Sequence, residues 1–94
     1  MNNHLIIKGE AITGEKLEGN SVVLVGDYIN LDHLMVTSSE MGEEYLKEHC
    51  PLRITSVADG SIEVVDDAGE KIEIKKGSPV VYEFKDRKLE LSLI

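Results

Sequence analysis

Tryptophan is missing from this chain of 94 residues, and the aromatics stop at Tyr28, Tyr45, Tyr82 and Phe84. Its core therefore has to be aliphatic, built from valine, isoleucine and leucine. A single cysteine, Cys50, excludes an intrachain disulfide and suits a reducing compartment. Basic residues are scarce, ten against eighteen acidic ones, for a formal charge of −8 and a pI near 4.7. That balance speaks against a direct grip on a phosphate backbone, which takes clustered Lys and Arg. Apolar runs such as Val22 to Val25 fall far short of the roughly 20 residues that span a bilayer. The opening MNNHLIIKGE carries no secretory cleavage pattern, so the expectation is a cytoplasmic protein without membrane association.

Signatures of bound groups are missing as well. Gly9, Gly14 and Gly19 recur at intervals of five, yet no phosphate-cradling glycine loop occurs, and turn or bulge duty is the better reading. His4, His33 and His49 lie in unrelated contexts without HxH or HxxxH spacing, which argues against zinc. Cys50 follows His49 directly, but helical neighbours point about 100° apart, so Cys50 reads as a small buried hydrophobe rather than a nucleophile. Asp27, Asp32 and His33 stand close enough to suggest an oxygen-rich cation loop, without EF-hand spacing or its closing glutamate. Solvated turn residues are the simpler reading there. No cofactor, metal or catalytic residue is expected, and the chain reads as a non-enzyme.

What is present is alternation. From Leu52 to Ile94 apolar and polar residues alternate almost throughout, broken at Asp59-Gly60, Asp66-Asp67-Ala68-Gly69, Lys76-Gly77-Ser78-Pro79 and Asp86-Arg87. A period of two with Gly/Asp punctuation predicts antiparallel strands joined by tight turns. The inward positions are Leu52, Ile54, Ala58, Ile62, Val64, Ile72, Ile74, Val80, Tyr82, Phe84, Leu89, Leu91 and Leu93. Glu63, Lys71, Glu73, Lys75, Glu83, Lys85 and Glu90 face out. Val57, Val65 and Val81 share the outward parity, each marking a bulge or a second contact surface. Tyr82 and Phe84 share the inward parity, so they read as core rather than as base-stacking platforms.

The first half is more broken. His4–Lys8 and Leu17–Gly19 read as strands, and Ser21–Val25 as a β-branched strand covered on both faces. Tyr28–Leu31 and Leu34–Thr37 follow, on one curved sheet path kinked at its glycines. Then Ser38-Ser39 precede an acidic stretch ended by Pro51. A serine cap before acidic residues predicts one short helix at about 39–50. Met41, Tyr45, Leu46, His49 and Cys50 would fall on its apolar side, with Gly42 an interior cost of about 1 kcal/mol.

These elements predict a single mainly β (α+β) domain over 1–94, a small antiparallel, partly closed barrel or rolled sheet, SH3-like or OB-like. Charge concentrates in the middle, where residues 37–67 hold Lys47 and Arg53 against eight carboxylates. Residues 68–94 are nearly balanced, with six basic and five acidic groups. The carboxylates Glu40, Glu43, Glu44, Glu48, Glu63, Asp66 and Asp67 are thus the candidate partner-binding residues. Rows of carboxylates complement basic surfaces and can imitate a nucleic acid. The function expected is a protein-binding module, an inhibitor or adaptor engaging a basic, nucleic-acid-binding partner protein, with no direct contact to nucleic acid. In size, acidity and compact β build the chain resembles accessory proteins of phages and mobile elements, a resemblance of class with no motif behind it. The alternative is a structural or ligand-sequestering barrel acting as a homo-oligomer, through Val57, Val65 and Val81 or an unpaired strand edge.

Overall fold

A computed structural model describes residues 4–10 and 13–94. Among the described residues nine strands run β1 His4–Glu10, β2 Lys16–Val22, β3 Tyr28–Asn30, β4 Met35–Thr37, β5 Leu52–Ala58, β6 Ser61–Val65, β7 Lys71–Lys75, β8 Val80–Phe84 and β9 Arg87–Leu93. They form two antiparallel sheets, β2-β1-β9-β8 and β4-β3-β5-β6-β7, which share one core and are not closed into a barrel. The first half is therefore not one curved path, because β1 and β2 belong to one sheet and β3 and β4 to the other.

The meander alternates as read. Leu52, Ile54, Ile62, Val64, Ile74, Leu89, Leu91 and Leu93 are buried, beside Leu5, Ile7, Ile29 and Leu31 from the first half. Each such Leu or Ile contributes about 1.5–3 kcal/mol on leaving water. Ala58 departs from the expected inward set and is exposed. The β5–β6 register slips between Ile54 and Ser56. An extra residue on one strand exchanges its faces beyond that point, so Val57 turns in to pack on the core and Ala58 turns out.

Two more expectations give way. Ser21–Val25 is not a strand covered on both faces: β2 ends at Val22, Val23 is buried, and Leu24 and Val25 are 59% and 62% exposed. The chain is changing sheets here through the turn at Gly26, where Asp27 N–H donates to Leu24 O. The helix is also shorter than 39–50. Ser38 does cap it, its Oγ accepting from Glu40 N–H, but the segment splits into a 3₁₀ turn Ser39–Met41 and a helix α1 at Glu43–His49. Gly42 sits between them at φ 91°, ψ 153°, a backbone region nearly confined to glycine. Met41 consequently leaves the apolar side and is exposed, whereas Leu46 and Cys50 are buried.

The sheets meet closely at β2 and β4. Val36 N–H donates to Ser21 Oγ at 3.1 Å. A Cβ on Gly19 would come within 2.0 Å of Leu34 O, so only glycine lets β2 approach that turn. At the opposite corner a bridge joins Lys76 to Leu93.

Candidate functional site

Two features adjoin α1: an ionic cluster on Asp32, where the β3–β4 and β8–β9 turns meet the helix end, and an open groove between α1 and the second sheet.

Asn30 starts the cluster. It is buried, and its Oδ1 accepts from the backbone N–H of Asp32 and of His33, while its Nδ2 donates to Tyr45 Oη at 2.9 Å. A buried amide with these partners fixes both the turn and the helix beside it. Leu31 N–H donates to His49 O at the end of α1. The turn thereby presents Asp32 to two cationic side chains and a histidine. Arg87 Nη2 donates to Asp32 Oδ1 at 2.8 Å and to Leu31 O at 3.0 Å, Lys85 Nζ reaches Oδ2 at 2.9 Å, and His49 Nδ1 also contacts Oδ2. Burial pushes the Asp32 carboxyl up, but the hydrogen bonds and charges of His49 and Lys85 outweigh it, so its pKa lies below the ordinary 3.8. The ties also hold the two-residue turn of β8–β9, where Lys85 and Asp86 take φ of 49° and 63° without a glycine.

This arrangement departs from a cation loop on Asp27, Asp32 and His33. Asp27 and Asp32 stand beyond opposite ends of β3, Asp32 in the turn that follows it. Asp32 is already committed to cations, which would repel a metal ion. Among the described residues no three His, Cys, Asp or Glu side chains gather to hold one.

The groove encloses about 710 Å³. One wall is α1 and its end, with Glu43, Leu46, Lys47, Cys50 and Pro51; the floor is the outer face of the sheet, with Tyr28, Arg53, Thr55 and Val65; Asp66 and Asp67 of the β6–β7 turn form the far rim. Burial, with the charge of Asp32 second, pushes the Cys50 thiol up to about 11. Cys50 is therefore a neutral apolar contact in the wall, in keeping with the structural role read from the sequence.

The seven candidate carboxylates divide. Glu43, Asp66 and Asp67 line the groove. Glu40, Glu44 and Glu48 are exposed around the helix, Glu48 lying 3.9 Å from His49 Nε2. Glu63 is half-buried, its Oε1 accepting from Thr55 Oγ1 at 3.1 Å. Asp66 Oδ1 is engaged too, accepting from Ala68 and Glu70 N–H to close its turn. Glu43 and Asp67 make no ion pair among the described residues. Tyr28 and Arg53 were not foreseen as lining a site, whereas Val65 had been read from its outward parity as marking a bulge or a second contact surface. Compared with protein-family models, with curated proteins and with solved structures, the chain matches none. Among the described residues no helix is long and apolar enough to cross a membrane.

Proposed function

We propose that the chain is a non-enzymatic binding module whose groove receives an extended basic segment of a partner protein, acting as an inhibitor or adaptor of a nucleic-acid-binding protein. The observation that carries this reading is the pairing of Glu43 with Asp67 on opposite rims, both without an ion pair, above the apolar contacts Leu46, Pro51 and Val65. Unpaired rim carboxylates supply attraction and on-rate, and the apolar floor supplies the area that leaves water. Arg53 on the floor repels a cation placed centrally. The favoured segment sets an apolar or acidic residue over Arg53 and its Lys or Arg side chains at the rims. Glu44 and Glu48 extend the negative field along the exposed flank of α1.

A labelled peptide of alternating arginine and leucine tests this by NMR titration. Shifts should centre on Leu46, Val65 and Asp67 and weaken steeply between 50 and 300 mM salt, a range of about one to two Debye-length halvings. Glu43→Lys and Asp67→Lys should each lower affinity about tenfold, roughly 1.4 kcal/mol. Glu90→Lys, on the other sheet, should not. Shifts centred elsewhere, or rim variants that bind like the parent, would refute the proposal.

A further inference from the structure

The hydrogen-bond phase of the first sheet can be read from its ends. Ile94 N–H donates to His4 O and His4 N–H to Ile94 O, so in the β1–β9 register the even residues of β9, Glu90 and Ser92, exchange bonds with β1. The odd residues, Arg87, Leu89 and Leu91, are left to bond Phe84, Tyr82 and Val80 of β8. It follows that the N–H and C=O groups of Val81 and Glu83 point away from the sheet, and among the described residues they have no backbone partner.

This edge differs from the others. The edge of β2 is engaged by β4 through Ser21 and Val36. β4 spans three residues, and β7 carries Lys71, Glu73 and Lys75, charges that discourage pairing. On β8 one outward side chain is Val81, 65% exposed, the most exposed of the large apolar residues among those described. On its inner face Val80, Tyr82 and Phe84 pack on the core yet remain half-exposed. The hairpin is held rigid by the Lys85 and Arg87 bonds to Asp32, so little order is lost on pairing.

We infer that β8 is a pairing strand for a second copy of this chain, joining two four-stranded sheets into one eight-stranded sheet about a two-fold axis at Tyr82. In this register Val81 faces Glu83 of the second copy and Glu83 faces Val81, which uses all four free groups of each strand. Tyr82 lies against its own counterpart, and Val80 against Phe84, covering the half-exposed inner face. A register centred on Glu83 would set like charges directly opposite each other. One centred on Phe84 would need Lys85, which is held in the turn.

Amide exchange by NMR and sedimentation equilibrium at 20 µM and 1 mM test this. A dimer should form at the higher concentration, with the Val81 and Glu83 amides slowing at least tenfold while the Tyr82 amide, bonded within the sheet, is slow at both. Val81→Pro removes an edge donor at a position where proline is tolerated and should leave a monomer. Side-chain charge reads the register: Val81→Lys faces Glu83 of the second copy twice and should tighten the dimer about fivefold, whereas Val81→Asp should loosen it by a similar factor. A monomer at 1 mM, exposed Val81 and Glu83 amides there, or equal responses to Lys and Asp would each overturn the inference.

Discussion

Replacing Asp32 tests how much of the fold hangs on one carboxylate. Its bond to Arg87 joins side chains 15% and 21% exposed, sheltered enough for a charge-assisted bond worth about 1.5–3 kcal/mol. The bond to Lys85, which is 45% exposed, adds about 0.5 kcal/mol after screening. Asn30 keeps the turn itself, since it holds the backbone N–H of residue 32. Asp32→Ala should therefore cost about 2–3.5 kcal/mol at pH 7, lowering Tm by roughly 10–25 °C for a domain of this size. Asp32→Asn retains an acceptor for Arg87 and should cost about half as much.

The pH dependence makes the assignment specific. The folded-state pKa of Asp32 is lowered below 3.8, so the folded protein holds the ionised form more tightly than the unfolded chain does. The resulting stability is fully present well above 3.8 and is lost as pH falls through the lower folded value. Urea midpoints for the parent and for Asp32→Ala, taken from pH 7 down to pH 2.5, should differ most near neutrality and converge in acid. Other carboxylates titrate in both proteins, so the difference isolates Asp32. A loss below about 0.5 kcal/mol at pH 7, or a difference that stays constant into acid, would refute the reasoning.

Gly42→Ala separates two views of the helical segment: in a continuous helix it would stabilise by about 1 kcal/mol, but at φ 91° it should destabilise by about 1–3 kcal/mol in urea unfolding. Gly19→Ala drives a Cβ against the Leu34 carbonyl and should cost about 1–3 kcal/mol or more by the same assay. Cys50, 4% exposed with its pKa raised from 9.0 to about 11, should react with a disulfide reagent at pH 8 about a hundredfold more slowly than an open thiol from ionisation alone. Full reactivity should return in urea, and a fast reaction in the folded protein would contradict the burial.

The meander was legible because its signals are local. Period-two alternation and Asp-Gly or Gly-containing turns each involve neighbours in sequence, and the Asp59-Gly60 hairpin forms with Gly60 at φ 80°. The errors arise where a long-range constraint overrides a local one. The outward parity of Val57 was a local sign of the bulge near Thr55, but the exchange of faces beyond it does not show in the alternation, so Ala58 was misplaced inward. The serine cap before acidic residues was a true helix start, but the pattern does not reveal that Gly42 leaves helical space. The β-branched run Ser21–Val25 read as a buried strand because its apolar residues do not disclose that the chain is crossing between sheets there.

The candidate site divides by the same rule. Negative charge in residues 37–67 is visible in the sequence, and it supplied Glu43, Asp66 and Asp67. Nothing local says that Thr55 uses Glu63, or that Asp66 closes its own turn. Structure thus narrows a broad acidic segment to two uncommitted rim carboxylates, and narrowing changes the kind of partner that fits. A uniform acidic face would accept any dense cationic surface. On the proposed reading, a groove with Glu43 and Asp67 at its rims and Arg53 on its floor would favour a segment whose cations are spaced apart over an unbroken run of them. The meander contributes the floor through Arg53, Thr55 and Val65 and the rim through its β6–β7 turn. The proposed surface thus takes in the first two strands of the meander, whereas the nearly balanced residues 68–94 line none of it.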